Sequence, residues 1–417
     1  MDLIVRNVRL AERPEDGTID IGVREGRIAA IAPGLAAEGE SYDAGGRLAC
    51  AGLVETHIHL DKSRLIDRVP PPSGRRVNPV AAVAPLKTDF TVEDIYRRAE
   101  RTLQECLLNG ATRMRTQVEV DPAVGLRGFA AIRKLAADYA WAIDLEICVF
   151  PQEGLTNRPG TGELLVTALK EGAAAIGGAP RYDSDPSAQM RRIFELAREF
   201  DRDIDIHLDV GDTFEPLHLR EVCALTKEFG REGRVVAGHM AKFSLLPPAE
   251  IAVWARQLAD LGIAVTVLPA TDLYLMGRDR DCDVRRGVAD ANFLAGHGVT
   301  CSLSSNNILN PATPYGDGSL IRLANLYANL LQIAGAPQLR ACFAMLTERS
   351  AALLKLPNYG LAIGNPADIV VIDAQTPEQA IAEIRPPLAV FKRGRRTVIR
   401  HPPELVRPAP DQILDQD

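Results

Sequence analysis

The run CAGLVETHIHLDKS, residues 50–63, holds the first evidence for the architecture. It begins as a continuous apolar stretch, which is typical of a buried strand, and then reaches two histidines, His57 and His59. Residues two apart in a strand point to the same face of the sheet. Two neighbouring imidazoles pack poorly in a core, but they are good ligands for a metal ion. The run therefore predicts a buried strand with part of a metal site at its end.

Further apolar runs repeat this pattern along the chain, and together they indicate a barrel. Segments of helical periodicity, such as 91–110 and 186–201, separate the runs. Eight strands alternating with helices over roughly 300 residues are the pattern of a (β/α)8 barrel, a TIM-type α/β fold. The predicted strands are 53–60, 111–120, 144–151, 173–180, 203–210, 234–240, 264–269 and 299–306.

Short alternating strands at both ends of the chain predict a second, smaller unit. We expect residues 1–52 and 356–417 to meet as a composite β-sandwich, and residues 53–355 to form the barrel. The long, proline-rich segment 64–85 follows the first barrel strand. On a barrel it would lie over the catalytic face, so we expect it to act as a lid.

The composition limits the classes of protein to which this chain can belong. A net charge of −7 over 417 residues argues against nucleic acid or an anionic membrane as the main partner. No apolar run approaches the roughly 20 residues that span a bilayer, and the N-terminus lacks the apolar core of a signal peptide. The seven cysteines are scattered, without a C-x-x-C pair, which fits reduced thiols. We expect a cytoplasmic protein that binds a small molecule; a homo-oligomer is compatible with the sequence.

Four of the seven histidines fall at predicted strand ends, where barrel enzymes place their chemistry. His57 and His59 end the first strand, His207 the fifth and His239 the sixth. Imidazole is the commonest ligand for zinc- and iron-type ions, so this concentration favours a metal site over unrelated structural histidines. Motifs for a phosphate-binding loop, a nucleophile elbow, an H-E-x-x-H site and the small zinc-deaminase fold are absent.

These features, together with four sequence stretches, resemble the amidohydrolase superfamily, and in particular its cytosine-deaminase-like branch. The stretches are HIHLDK (57–62), RTQVEV (115–120), IDIHLD (204–209) and YGLAIGNPADIVVID (359–373). The resemblance implies one divalent ion, zinc or iron with cobalt or manganese as alternatives. The ligands it implies are the histidine pair of strand 1, the histidine of strand 5 and a strand 8 residue, here Asn306. Strand 4 carries no lysine that could bridge two metals.

The sequence departs from that branch at two places. The deaminases end strand 8 in paired aspartates, where this chain has Asn306 and Asn307. They also place a glutamate three residues after the strand 5 histidine, where this chain has Val210. An asparagine oxygen can coordinate a metal but is neutral and accepts no proton, and a valine can do neither. The resemblance therefore implies a retained metal cradle without the proton-transfer residues of ring deamination.

Three interpretations stay open. The chain could be a hydrolase of altered chemistry, which cleaves a C–N bond of an amide, a cyclic amide or an amidine with a metal-activated water. It could be a cytosine, aminopyrimidine or triazine deaminase that uses a substitute acid, or a non-catalytic binding relative. The candidate catalytic bases are His239, then Asp209 and Asp61. For the two aspartates, a hydrogen bond to a ligand histidine is as compatible with the sequence as a direct role.

Candidate substrate-binding residues would surround the mouth of the barrel. Gln152 matches a position that contacts the pyrimidine edge in the deaminases, although a strand-end turn would also account for it. Ser304 and Ser305 are smaller than the deaminase residues there, which predicts a larger pocket that suits a substituted ring or an N-alkyl or acyl amide. The other candidates are Lys62, Gln117, Glu119, Tyr274 and Asn307.

Overall fold

The computed structural model describes residues 1–36, 38–69 and 78–406. Within these residues the chain forms two sheets of eight strands each. The first sheet begins with β1 (Leu3–Leu10), β2 (Ile19–Arg24), β3 (Arg27–Ala32), β4 (Glu40–Asp43) and β5 (Leu48–Ala51). The second comprises β6 (Leu53–Ile58), β7 (Ala111–Glu119), β8 (Asp144–Phe150), β9 (Ala175–Gly178), β10 (Asp203–Leu208), β11 (Val235–His239), β12 (Ala264–Val267) and β13 (Cys301–Leu303). The first sheet is completed by β14 (Ile369–Ile372), β15 (Pro387–Lys392) and β16 (Arg395–Ile399).

α-Helices separate the barrel strands, and several begin at polar caps. The Thr91 hydroxyl accepts a hydrogen bond from a backbone N–H of α2, and the Asp185 carboxylate does the same for α5. The helices are α1 (Pro79–Val83), α2 (Val92–Leu108), α3 (Arg127–Asp138), α4 (Thr161–Lys170), α5 (Pro186–Glu199), α6 (Leu219–Phe229), α7 (Pro248–Asp260), α8 (Pro269–Leu275), α9 (Ala291–Gly296), α10 (Leu320–Leu330), α11 (Ala336–Ala344), α12 (Glu348–Leu353) and α13 (Pro377–Ala382). A 3-10 helix, Ala84–Asp89, continues directly from α1.

The strands of the second sheet are all parallel and follow the chain order from β6 to β13. The first and last strands meet at a parallel bridge between Ile58 and Asn306. There the Asn306 N–H donates to the His57 carbonyl, and the His59 N–H donates to the Asn306 carbonyl, each at 2.8 Å. The predicted (β/α)8 barrel with its eight strands is confirmed, and it is nearly closed.

Strands from both ends of the chain form the other sheet, in the order β16-β15-β14-β5-β1-β2-β3, with β4 paired to β1. Apolar residues of β1, β2 and β3 share one core cluster with residues of β14 and β15. The rings of Tyr42 and Phe391 meet edge to face, with centroids 5.7 Å apart. The composite β unit predicted from the two termini is therefore present; its exact limits stay a prediction.

A single glycine links β5 of the first sheet to β6, the first strand of the barrel. Gly52 lies between β5 and β6, and a Cβ atom at this position would come within 1.9 Å of the Thr112 hydroxyl. The side chain of Lys392 also connects the two sheets. Its buried ammonium group donates to the Thr112 carbonyl at 3.1 Å, to Asp144 at 3.0 Å and to Asp368 at 2.8 Å. The barrel and the composite sheet thus share a buried charged contact.

Some sequence predictions fall partly outside the described residues. Residues 70–77 of the predicted lid and residues 407–417 of the predicted sandwich are among them. All seven cysteines are free, and only Cys282 is exposed. No helix in the described ranges is long and apolar enough to cross a membrane.

Candidate metal centre and active site

Three histidines converge at the C-terminal end of the barrel. The Nε2 atom of His207 lies 3.2 Å from Nε2 of His57 and 3.1 Å from Nε2 of His59. One nitrogen cannot satisfy two others of its kind by hydrogen bonding alone. The separations are close to those between ligands of one tetrahedral ion at about 2.0–2.1 Å. The three side chains form a metal-binding group.

Hydrogen bonds behind two of these rings, those of His57 and His207, hold their Nε2 atoms towards one centre, whereas Nδ1 of His59 has no hydrogen-bond partner among the described residues. Nδ1 of His57 lies 3.3 Å from both the Asp205 carboxylate and the Gln117 amide nitrogen. Nδ1 of His207 lies 3.3 Å from the Gly178 carbonyl oxygen. Such partners orient ligand histidines and set their tautomers. Sequence reasoning missed Asp205, although it lies two residues before His207 and so on the same face of β10.

The rings are held in the neutral form that metal binding requires. Burial, followed by the charge of Lys62, lowers the pKa of His59 well below its usual value. Burial and the neighbouring imidazoles do the same for the pKa of His207. Burial also lowers the pKa of His57, against the opposing charge of Asp205. Neutral imidazoles have a free lone pair, so these three can act as ligands.

Asn306 supplies an independent test of whether a metal fits. Its side-chain oxygen is buried without a hydrogen-bond partner among the described residues. Its amide nitrogen lies 3.4 Å from Nε2 of His239. A buried carbonyl oxygen without a donor costs about 1–3 kcal/mol, which contact with a cation would offset. The unpartnered oxygen and the three imidazoles therefore fit a divalent ion of the zinc or iron type.

His239 is paired with a carboxylate that sequence reasoning missed. Its Nδ1 atom lies 2.6 Å from the carboxylate of Asp272 on α8, and Asp272 is fully buried. The backbone of His239 is left-handed, with φ of +75°. A non-glycine residue held in this region marks a site where the surroundings enforce an unusual geometry. Asp272 was detectable only as an acidic residue within the apolar run after strand 7.

The other two candidate bases are engaged by backbone groups. The Asp209 carboxylate accepts hydrogen bonds from the N–H groups of His218 and Leu219, at 3.0 and 3.1 Å, and so caps α6. One oxygen of Asp61 accepts from the Glu119 N–H at 2.9 Å. Burial raises the pKa of Asp209, and it raises the pKa of Asp61 to about 6. Neither makes the hydrogen bond to a ligand histidine that the sequence suggested.

Several predicted substrate-binding residues line one cavity with His59, His207 and His239. The volume of this cavity is about 80 Å³. Lys62 donates to the Gln152 side-chain oxygen at 2.8 Å and lies 3.2 Å from the Glu119 carboxylate. The Asn307 oxygen accepts from the Asn310 amide at 2.6 Å. Asn306 and Asp209 also line the cavity.

Other predicted residues lie outside the lining of this cavity. Gln117 lies behind His57, as described above. Tyr274 packs edge to face against Tyr315, with centroids 6.1 Å apart. The Ser304 hydroxyl bonds to Thr56 at 2.6 Å within the barrel, and the Ser305 backbone donates to a buried glutamate at 3.2 Å. The two serines therefore do not line this cavity, and the predicted enlargement of the pocket does not apply to it.

A buried charge cluster at the cavity wall was not predicted. The Lys87 ammonium group contacts three carboxylates, those of Glu119, Asp121 and Glu153. Burial opposes its positive charge, but Glu119 and Asp121 outweigh this and raise the pKa of Lys87. Arg158 also pairs with Glu153, at 2.5 Å. Neither periodicity nor a sequence motif relates Lys87 to the ends of β7 and β8. The cluster is therefore visible only in the folded structure.

A nearly closed barrel whose strand ends carry an H-x-H pair and a third converging histidine defines a metal-binding hydrolase. The chain belongs to the amidohydrolase family, whose model matches residues 78–400. It is a hydrolase that acts on carbon–nitrogen bonds other than peptide bonds.

The chain is similar to several known proteins over nearly its whole length. It is 28% identical to N-isopropylammelide isopropyl amidohydrolase of Pseudomonas sp. (strain ADP), over 94% of this chain and 96% of the relative. It is 26% identical to pterin deaminase of Rhizobium rhizogenes, over 90% and 87%. The structure of 5-methylcytosine deaminase from Klebsiella pneumoniae, liganded with 5-fluorocytosine, superimposes with a TM-score of 0.90 at 27% identity, over 97% and 99%.

Proposed function

We propose that this chain hydrolyses a C–N bond of an amide, cyclic amide or amidine in a small molecule, with one divalent ion, zinc or iron, at the barrel mouth. The observation that carries the proposal is the convergence of three imidazole nitrogens, two of them from buried side chains, beside the Asn306 oxygen that has no hydrogen-bond partner among the described residues. The relatives named above include an amidohydrolase and two deaminases, so the choice of reaction rests on the residues of the site.

The proposed ligands are His57, His59, His207 and Asn306. An ion bound there would lower the pKa of a water molecule towards neutrality and polarise the bond to be cleaved. All four ligand groups are neutral. They would therefore offset none of the positive charge of the ion, which favours strong Lewis acidity.

His239 and Asp272 are proposed to handle the proton. The 2.6 Å contact with Asp272 favours the ring proton of His239 on Nδ1, so that Nε2 carries a lone pair at the cavity, where it lies 3.4 Å from the Asn306 amide nitrogen. Nε2 can then accept a proton from the attacking water and return it to the leaving nitrogen. Val210, which also lines the cavity, can hold no proton. This pair therefore takes the part that a glutamate plays in the deaminases.

Lys62 and Gln152 are proposed to orient the substrate. Because the Gln152 oxygen already accepts from Lys62 at 2.8 Å, its amide N–H groups remain to donate to a carbonyl or ring nitrogen. The Lys62 ammonium group lies above the Phe150 ring, 5.0 Å from its centroid, which restricts its position. A fixed donor pair of this kind recognises one edge of a planar amide or amidine.

A deaminase that uses a substitute acid is the second candidate. The His239–Asp272 pair favours it, because such a pair can also protonate a leaving amino group. Assays on a panel separate the two candidates. Ammonia released from aminopyrimidines and triazines indicates deamination, whereas amide cleavage or ring opening indicates the proposed reaction.

Metal analysis tests the basis of both candidates. Protein purified without chelators should hold about one equivalent of a transition ion. His207→Ala should lose it, and the matched variant His401→Ala, at an exposed position, should keep it. Less than about a tenth of an equivalent in the unaltered protein would remove the basis of the proposal. A metal-loaded protein that binds ligands without turnover would indicate a binding protein instead.

A further inference from the structure

Apolar side chains form much of the remaining cavity wall. Val80 and Val83 come from α1, and Pro79 precedes them in the same helix. Leu275 of α8 and Pro311, after the last barrel strand, also line the cavity. The metal-binding end is therefore polar, whereas the α1 side of the same cavity is apolar.

The α1 side is held in place by local contacts. The Asn78 side chain accepts hydrogen bonds from the N–H groups of Val80 and Ala81, at 3.1 and 3.2 Å, and so caps α1. Val83 is buried in an apolar cluster that includes Leu65, Phe90, Ile95 and Val124. The helix is thus attached to the barrel by its packed side while Val80 faces the cavity.

Lys87 attaches the same segment through charge. It lies one turn beyond α1, and its ammonium group is inserted among the carboxylates of Glu119, Asp121 and Glu153. Arg127 donates to the Lys87 carbonyl at 2.9 Å. Withdrawal of the segment would remove Lys87 from three buried carboxylates and leave Lys62 and Arg158 to balance them, which is strongly unfavourable. The apolar wall is therefore preformed.

We propose that the substrate carries an apolar substituent that packs against Val80 and Val83, and that these residues determine specificity. The inference rests on the proposed function, because that places the hydrolysable polar group at the histidines. Lys62 and Lys87, whose ammonium groups line the cavity, both contact Glu119, so the protein itself balances their charges. Arg181 also lines the cavity, and it donates to the Val210 carbonyl at 2.7 Å. A preformed apolar surface beside a polar site gains affinity by removing an alkyl or aryl group from water.

The test uses linear alkyl hydroxamates, from acetohydroxamate to hexanohydroxamate, with the zinc-loaded full chain and calorimetric titration. Their common head group binds zinc, so chain length is the only variable. We expect the dissociation constant to fall by about two- to fourfold per methylene until the wall is covered. In Val80→Asp this gain should vanish, while the affinity for acetohydroxamate changes by less than about threefold.

Two further variants keep the test decisive. If Val80→Asp disturbs α1, Val80→Thr replaces it as the test. Threonine retains the shape of valine, and its hydroxyl should reduce the gain per methylene. Val253→Asp makes the same change at an exposed position on α7 and should leave the whole series unchanged. Acetohydroxamate binding without any gain with chain length, or an equal gain in the Val80 variants, overturns this inference alone. Failure to bind zinc and every hydroxamate overturns the proposed function and, with it, this inference.

Discussion

Asn306 combines two unusual features at one position. Its side-chain oxygen is buried without a hydrogen-bond partner in the part of the chain that the structure describes, and its backbone has a φ of +59°. Asparagine and aspartate are the non-glycine residues that adopt this left-handed conformation most readily. The backbone therefore favours a residue with a short side-chain oxygen acceptor at the end of the last strand, whether or not that oxygen carries a charge.

Substitution of Asn306 should change metal affinity without disturbing the backbone. Asn306→Gly tolerates the same φ but removes the oxygen, so zinc should bind about 10- to 100-fold more weakly. Asn306→Asp adds a negative charge and should bind zinc more tightly than the unaltered protein. Competition with a chromophoric chelator measures both. Asn307→Gly is the control, because the Asn307 oxygen bonds to Asn310; an equal loss there would contradict the assignment.

Asp272 should matter for turnover and not for metal content. Asp272→Asn can no longer accept the Nδ1 proton of His239 as a carboxylate, which disfavours the tautomer with a free Nε2 lone pair. We expect kcat on any substrate found in the panel to fall by about 10²- to 10⁴-fold with the metal equivalent unchanged. Asp290→Asn, at the N-cap of α9, is the matched control and should retain activity. Metal loss together with activity would instead indicate a structural role.

The sequence was informative for site residues that follow strand periodicity, and silent for those that only the fold brings together. His57, His59 and His207 were predictable because barrel strands end at one face. Asp205 was predictable in principle from the same alternation. Asp272 approaches His239 from a different element, and no spacing along the chain reports such a contact. The orientation of Tyr274 towards Tyr315 was equally undetermined.

The residue that directly follows strand β10 stabilises the next helix. Asp209 caps α6 across the intervening loop, since its carboxylate accepts from the first backbone N–H groups of that helix. Asp209→Asn keeps an acceptor and tolerates the φ of +53° at this position. We expect unfolding to become easier by about 1 kcal/mol in chemical denaturation, with unchanged zinc content. A loss of activity of about 100-fold or more with intact structure would show that Asp209 is a catalytic base after all.

Strand positions were predicted more accurately than strand ends. The last barrel strand was expected over 299–306, but regular pairing covers only Cys301–Leu303. Beyond it, the Ser304 N–H still donates to the Val267 carbonyl at 3.1 Å, and the chain then turns towards the first strand. Asn306, the proposed fourth ligand, lies there in place of a regular ladder residue. The sequence predicts that segment 64–85 lies over the catalytic face, and residues of α1 within that segment line the cavity. The contacts of Lys87 with Glu119, Asp121 and Glu153 could not be read from the sequence.

At the scale of the whole molecule, Lys392 connects the composite sheet to the barrel. Burial lowers its pKa from 10.5 to about 8, against the opposing charge of Asp368. Between these values the unfolded chain binds a proton that the folded chain does not, so the free energy of unfolding rises with pH. Relative to Lys392→Met, the unaltered protein should therefore gain about 2 kcal/mol between about pH 7.5 and 9.5.

Denaturant unfolding at several pH values, with both proteins in the same metal state, measures this difference. Lys355→Met is the matched control, because its side chain is exposed and pairs with Asp203 at 2.8 Å. It should show no comparable gain over the same pH interval. A constant difference between Lys392→Met and the unaltered protein would mean that Lys392 keeps its charge in the folded state throughout.

The bridge between Ile58 and Asn306 has a consequence for biosynthesis. All three ligand histidines have been synthesised once β10 is made, whereas the residue that closes the barrel is added only after the final barrel strand. An ion bound by the nascent chain would crosslink β6 to β10 while the barrel still lacks its last strand. Metal binding before the last strand is in place would therefore hold an open sheet with a water-exposed edge.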